Sequence, residues 1–210
     1  MSRYAKLTSW LIGVWFVLAL ALSALHILVN GPNQPPLALG LAALTPVVIF
    51  GLWFAGSSGF RSFVLSLSPR ALTLVQSWRV AGFAFVALAA YRILPGAFAL
   101  PAGYGDMAIG LTAPLVALTL SGPGHRGGFL LWQALGMIDL VTAVGLGTTA
   151  GILDPRGIPT SAMTVLPLSM IPVFAVPLLL ILHIICVAQA RKWPVRAGQA
   201  AGAPLASPAS

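Results

Sequence analysis

The sequence has very few acidic residues and a single cysteine. It contains no glutamate, and its aspartates are Asp106, Asp139 and Asp154. This scarcity argues against enzymes that depend on several carboxylates. Because Cys186 stands alone, a disulfide framework, a CxxC redox motif, a cysteine-rich metal site and covalent haem attachment are all excluded. No HExxH, Walker, GxGxxG or EF-hand motif is present either, so the sequence favours a protein that is not an enzyme.

Charged residues of both signs are scarce, and apolar residues are abundant. The chain is 7% charged and 59% hydrophobic, with a mean hydropathy of +0.98, whereas soluble domains average about 25% charged residues. The net charge of +8 does not form a nucleic-acid patch, because the basic residues stand singly at the ends of apolar runs. These features predict an all-α integral membrane protein whose surroundings are the lipid bilayer.

Six apolar runs predict a polytopic bundle of six transmembrane helices, since about 20 mostly apolar residues cross the hydrocarbon core. The helices are expected at about residues 10–29, 37–54, 71–94, 107–120, 129–149 and 165–190. Glycines and prolines in the segment 95–105 predict a break in the helix, and whether this segment re-enters the membrane stays open. The transmembrane domain would cover residues 1–193, followed by a disordered cytoplasmic tail at 194–210.

The distribution of basic residues predicts the orientation in the membrane. With a cytoplasmic N-terminus, only Arg92 and Arg156 fall on the outer side. The residues that then fall inside are Arg3, Lys6, Arg61, Arg70, Arg126, Arg191, Lys192 and Arg196. Cytoplasmic loops carry the excess of lysine and arginine in membrane proteins, so both termini are predicted to be cytoplasmic.

Arg79 lies well inside the third apolar run and needs a partner there. An arginine near the bilayer centre costs about 2.5–3.5 kcal/mol on insertion scales. At a rise of 1.5 Å per residue, Arg79, Asp139 and His183 all lie roughly 12–16 Å from the cytoplasmic edge. We predict a buried polar layer of these three residues and Gln76, in which Arg79 pairs with Asp139. The pair either fixes helix packing or belongs to an ion, proton or solute path.

A second polar layer is predicted near the outer edge. His26 and Asp106 both lie within about 6 Å of that edge by the same rise. Asp106 follows a glycine and precedes the fourth predicted helix, so it is interpreted as an N-cap. No metal site is predicted. His26 and His183 are each interpreted as a hydrogen-bonded histidine or as a ligand.

The segments QSWRVAGF, LPGAFALPAGYGD and GLTAP, between Gln76 and Pro114, resemble an uncharacterised group of small bacterial multi-pass membrane proteins. The resemblance implies a location in the bacterial inner membrane and brings no known activity. It also implies that Arg79 and Asp106 belong to one unit. Asp106 is therefore a rival to Asp139 as the partner of Arg79.

The leading functional hypothesis is a small transporter-like or channel-like protein. In it the buried layer binds a small anion or relays protons, and the proline-containing sixth helix acts as the gate. The alternative is a membrane partner or assembly subunit without enzymatic activity, acting in a homo-oligomer or with another protein. A third hypothesis is a redox subunit that binds haem or quinone. His26 and His183 differ in depth by about 12 Å, which argues against both on one iron.

Overall fold

The computed structural model describes residues 3–29, 36–153 and 157–194, and every regular element within these ranges is helical. A 3-10 segment, Gln76–Gly82, joins α4 to α5, and a π-helical turn, Ile171–Ala175, leads into α8. The α-helices are α1 Arg3–Ala24, α2 Leu37–Gly56, α3 Ser58–Leu65, α4 Pro69–Val75, α5 Phe83–Ala90, α6 Gly96–Thr119, α7 Arg126–Leu153 and α8 Val176–Ala190.

Five helical stretches are long and apolar enough to cross a membrane. They are Arg3–Ala24, Leu37–Gly56, Pro69–Ala90, Pro123–Ala150 and Ile171–Ala190. Helix α6 has 24 residues but does not reach the same hydropathy, because glycines, prolines and Asp106 dilute its apolar residues. The all-helical fold is as predicted. Composition alone does not identify α6, which would be the sixth span.

Many large apolar side chains are exposed, and several polar side chains are buried within the helix bundle. None of the residues of α2 is buried, and its Leu41, Leu44 and Leu52 are 58–69% exposed. By contrast, Thr73, Gln133 and other polar residues are fully buried. In water such an arrangement would expose a large apolar surface. It is compatible with insertion into a membrane.

The third predicted helix is one continuous helical run, from Pro69 to Ala90, that changes its winding in the middle. Ser68 caps its start by accepting a hydrogen bond from the backbone N–H of Ala71. The run becomes a 3-10 helix at Gln76–Gly82 and then returns to α-helix. It ends at Ala90, four residues before the predicted limit of 94, and Arg92 then adopts a left-handed φ of 55°.

The predicted break at 95–105 is wrong, because this segment is the first half of α6. The helix starts at Gly96 instead of at residue 107. Pro101 removes only one backbone donor from the helix. Gly103 and Gly110 allow α6 to approach the 3-10 segment so closely that a Cβ at Gly110 would overlap the backbone of Val80. This packing supports a helix that the local composition does not favour.

The ends of three other helices also differ from the prediction. Helix α1 runs from Arg3 to Ala24 instead of 10–29, and His26 follows it with a left-handed φ of 56°. Helix α7 is longer than 129–149 at both ends. The last helix begins with the π-helical turn at 171 instead of at 165, after a series of turns. The predicted tail lies outside the described residues except for residue 194.

The prolines of the last helix leave a backbone carbonyl free for another helix. Pro177 has no N–H to donate to the carbonyl of Val173, four residues before it. The indole Nε1 of Trp15 donates to that carbonyl at 3.1 Å. The ring of Trp15 also packs on Phe174, with the ring centroids 4.7 Å apart. Helix α1 is thereby attached to the π-helical turn.

Candidate functional site

The guanidinium of Arg79 is enclosed by groups from three neighbouring helices. Its Nε donates to Oδ1 of Asp106 on α6 at 2.7 Å. Its Nη2 donates to Oδ2 of Asp139 on α7. Its Nη1 donates to the carbonyl of Gly136 at 3.1 Å and contacts Nε2 of His183 on α8 at 3.2 Å. We call Arg79, Asp106, Asp139 and His183 the charge cluster.

The 3-10 winding places Arg79 on a buried polar stripe. A 3-10 helix has three residues per turn, so residues at i and i+3 lie on the same face. Gln76, Arg79 and Gly82 are the buried residues of this segment, and Thr73 continues their spacing into α4. The period of three from Thr73 to Gly82 is visible in the sequence, but the apolar runs do not reveal it.

Asp106 is placed differently from both expectations made for it. It is the middle of α6 and not an N-cap, because the helix starts ten residues earlier at Gly96. It also does not belong to an outer layer with His26, since it forms an ion pair with Arg79. His26 is exposed in the turn after α1. The predicted outer layer is therefore wrong, and the rival pairing of Arg79 with Asp106 coexists with the pairing to Asp139.

His183 continues the cluster into a line of hydrogen bonds. An arginine can only donate, so Nε2 of His183 accepts from Arg79 and the proton of the neutral ring is on Nδ1. That Nδ1 donates to Oε1 of Gln133 on α7. Nε2 of Gln133 then donates to Oγ1 of Thr73 at 3.3 Å, and this hydroxyl donates to the carbonyl of Pro69 at 2.8 Å.

Gln133 and Thr73 were not among the predicted site residues. Uncharged polar side chains in an apolar run cost much less than a charge, so a search for charges does not find them. Gln76, which was predicted, lies on the stripe but donates to the carbonyl of Leu179 at 3.1 Å. Its Oε1 has no partner among the described residues.

Two glycines make room for the charge cluster. A Cβ added at Gly105 of α6 would overlap the carboxylate of Asp139. A Cβ at Gly136 of α7 would overlap the ring of His183 and lie 3.3 Å from Nη1 of Arg79. The charged groups therefore occupy the space that a side chain would take, and both helices approach closely at the cluster.

The charges of the cluster do not balance, and their exposure differs. One guanidinium faces two carboxylates, while His183 is neutral by its hydrogen bonds. The Arg79 side chain is 1% exposed, whereas those of Asp106 and Asp139 are 17% and 18% exposed.

Within the described residues, no group of three histidine, cysteine or acidic side chains is arranged to hold a metal ion.

Comparison with known proteins gives a family but no activity. Residues 34–191 match the model of a family described as a domain of unknown function, DUF8737. This range contains the charge cluster and extends far beyond the segment from Gln76 to Pro114 that carried the resemblance. No curated protein and no solved structure matches the chain.

Proposed function

The chain belongs to the DUF8737 family, and we propose that it is a six-span membrane protein that carries protons through the charge cluster. Helix α6 would be the sixth span, although its hydropathy is too low for composition alone to identify it. Its 24 residues would extend about 36 Å at 1.5 Å per residue, enough for a hydrocarbon core of about 30 Å. The pairing of Asp106 with Arg79 lowers the cost of placing this helix in lipid.

The observation that carries the proposal is the excess of one carboxylate in the cluster. Arg79 stays protonated in proteins, so the guanidinium and two ionised carboxylates have a net charge of −1. No second cation contacts Asp106 or Asp139 within the described part of the chain. An unbalanced charge in a low-dielectric interior is costly. One proton on either carboxylate makes the cluster neutral.

The geometry also favours the carboxylates as the groups that exchange this proton. Both aspartates are partly exposed, whereas Arg79 is enclosed. A proton can therefore reach a carboxylate without moving the guanidinium. In the cycle we propose, a proton binds to Asp106 or Asp139 from one side of the membrane and the same group releases it to the other side.

The other ligands considered for this layer are less well supported. Four of the five N–H donors of Arg79 already have partners, which leaves little of the guanidinium for an anion. Both ring nitrogens of His183 are engaged, by Arg79 and by Gln133. Neither nitrogen is then free to bind a haem iron. We also propose that both termini are cytoplasmic, which the positive-inside rule supports, and that the membrane is the bacterial inner membrane, which the resemblance of residues 76–114 supports.

Proton flux into vesicles tests the proposal. The protein is reconstituted in liposomes that contain a pH-sensitive dye, and a potassium gradient with valinomycin imposes a membrane potential. We expect acidification with the wild-type chain and a fall to the rate of empty vesicles with Asp106→Asn or Asp139→Asn. Asp154→Asn, which changes the third aspartate of the chain, is the matched control and should leave the rate unchanged.

The result distinguishes transport from a purely structural role. Each variant is first shown to elute as the wild type does in size-exclusion chromatography. Rates equal to wild type in both cluster variants would reject the proposal. If folded wild-type protein carries no protons under a potential of either sign, the cluster serves packing, as in the alternative of a membrane partner or assembly subunit.

A further inference from the structure

An open groove lies at one end of the helix bundle, away from the charge cluster. One wall is the start of α4 with the residue before it, at 68–70. The other wall is the end of α6, at 117–119, with the turn at 121–125. The groove has a volume of about 470 Å³, which lies within the range of about 300–1,000 Å³ that is usual for sites of small ligands. It has room for a small polar group.

The side chains that line the groove suit an anion. None of the lining residues is acidic. Arg70 is exposed there, stays protonated, and has no acidic partner among the described residues. His125, exposed on the other wall, contributes a ring N–H. The hydroxyl oxygen of Ser68 accepts from the backbone N–H of Ala71 at 3.3 Å, which leaves its own proton to donate. A phosphate oxygen accepts from all three kinds of donor.

More basic residues surround the groove at the same end of the bundle. Helix α7 begins there with Arg126, directly after His125 of the groove. Nη2 of Arg126 donates to the backbone carbonyl of Arg191 at 3.4 Å, so Arg191 and Lys192, after the last helix, lie at this end as well. In the proposed orientation this end is cytoplasmic. Basic pockets between transmembrane helices on that side are typical sites for the headgroups of anionic lipids.

A stripe of exposed leucines leads from the groove along α6. Leu111, Leu115 and Leu118 are 61–64% exposed, and their spacing of four and three residues places them on one face of the helix. We call them the leucine stripe. Leu118 also lines the groove. From 111 to 118 the helix rises about 10 Å, a large part of the share of about 15 Å that one leaflet has in the hydrocarbon core. The basic groove and the leucine stripe therefore form one continuous surface.

We propose that this surface binds an anionic phospholipid, with the phosphate in the groove between Arg70 and His125 and an acyl chain along the leucine stripe. A soluble phosphate compound would fill the groove but leave the stripe uncovered. A zwitterionic lipid would cover the stripe but bring an ammonium group close to Arg70. An anionic phospholipid is complementary to both parts. The inference requires α6 to lie in the membrane, but it does not depend on the proposed proton transport.

Native mass spectrometry of the full chain in detergent measures the binding. Phosphatidylglycerol and phosphatidylcholine with the same acyl chains are added at equal concentrations, and the fraction of protein that carries each lipid is read from the mass. We expect the wild type to prefer phosphatidylglycerol at least about fivefold, since one basic residue near an anionic membrane surface contributes about that factor.

Two pairs of variants test the two parts of the site. Arg70→Gln should lower the preference for phosphatidylglycerol about fivefold, whereas Arg92→Gln should keep it, because Arg92 is also exposed but follows the opposite end of the same helical run. Leu115→Asn should weaken phosphatidylglycerol binding roughly tenfold, since covering a leucine is worth about that factor. Leu41→Asn on α2, where the leucine is 65% exposed, should bind as the wild type does. Each variant is first shown to elute as the wild type does in size-exclusion chromatography.

A soluble headgroup distinguishes a lipid from a free phosphate compound. Glycerol 3-phosphate, added at the concentration of the lipid, should not displace phosphatidylglycerol, because it has no acyl chain to cover the leucine stripe. Displacement would overturn the assignment to a lipid.

The inference is also overturned if the wild type binds both lipids equally, or if Arg70→Gln and Arg92→Gln have the same effect. Binding by Leu115→Asn at the wild-type level would overturn it as well. A preference for phosphatidylglycerol without proton flux would reject the proposed transport and leave the lipid site in place. Flux without this preference would reject the lipid site and leave the transport in place.

Discussion

The close contact between α6 and the 3-10 segment makes a strong prediction about one glycine. A Cβ at Gly110 would overlap the backbone N of Val80 and lie 2.8 Å from the backbone carbon of Arg79. These are backbone atoms, so no side chain can rotate to relieve the overlap. Gly110→Ala must therefore push α6 away from the 3-10 segment. Asp106, one turn earlier on α6, would move away from Arg79 with it.

The expected magnitude follows from two opposing effects. Overpacking a tight contact costs about 3 kcal/mol at the upper end of the usual range, and replacing glycine by alanine within a helix returns about 0.5–1 kcal/mol. The net loss of stability is then about 2 kcal/mol. For a chain of 210 residues, this lowers the melting temperature by roughly 4–8 °C.

Two further glycines provide the comparison. At Gly145 of α7 a Cβ would meet nothing within 4 Å, so Gly145→Ala should gain the helix preference of about 0.5–1 kcal/mol and melt slightly higher. At Gly105 a Cβ would meet the Asp139 carboxylate, which can rotate away. Gly105→Ala should therefore keep most of its stability and lose proton flux.

Thermal unfolding in detergent, followed by size-exclusion chromatography, measures all three variants under one condition. The expected order of melting temperature is Gly145→Ala, wild type, Gly105→Ala and Gly110→Ala, from highest to lowest. If Gly110→Ala melts with Gly145→Ala, the approach of α6 to the 3-10 segment is not as close as described. The explanation given for the helix at 96–105 would then fail with it.

Two other substitutions test single contacts. Arg79→Lys keeps the positive charge but loses the planar guanidinium that binds two carboxylates at once. The loss of at least one hydrogen bond to a charged group should lower the free energy of unfolding by about 1.5–3 kcal/mol. An unchanged melting temperature would show that binding both carboxylates does not stabilise the fold. Trp15→Phe removes the hydrogen bond to Val173 and should cost about 0.5–1.5 kcal/mol. Its control is Trp10→Phe in the same helix, where the side chain is 65% exposed; equal melting temperatures for these two variants would argue against the contact.

The contact between Arg79 and Asp139 could be predicted because depth in a membrane helix follows from counting residues. The rise per residue is constant, so three groups in three separate helices could be assigned to one layer. The same count misplaced Asp106, since it assumed a helix that begins at 107. The helix begins at Gly96 because Gly103 and Gly110 pack on the 3-10 segment. This is tertiary packing, and no local property of residues 95–105 reveals it.

The hydrogen bonds from His183 through Gln133 to Thr73 show a second limit of reading the sequence by charge and hydropathy. Thr73 and Gln133 are neutral and stand within apolar helices, so neither interrupts a predicted span. Their importance comes from position, because Gln133 joins His183 to Thr73 and Thr73 bonds in turn to the carbonyl of Pro69. The period of three along Thr73, Gln76, Arg79 and Gly82 was visible in the sequence. It has meaning only for a helix with three residues per turn, which an apolar run does not predict.

The 3-10 winding and the charge cluster depend on each other. In an α-helix, residues three apart are turned by about 60° from one another, so Gln76 and Gly82 would lie about 120° apart. In the 3-10 segment they share one face with Arg79. Gly82 can then pack on α6 beside Asp106 while Gln76 bonds to the backbone at Leu179. With this winding one arginine contacts α6, α7 and α8 at the same time, on the face that also carries Gln76 and Gly82.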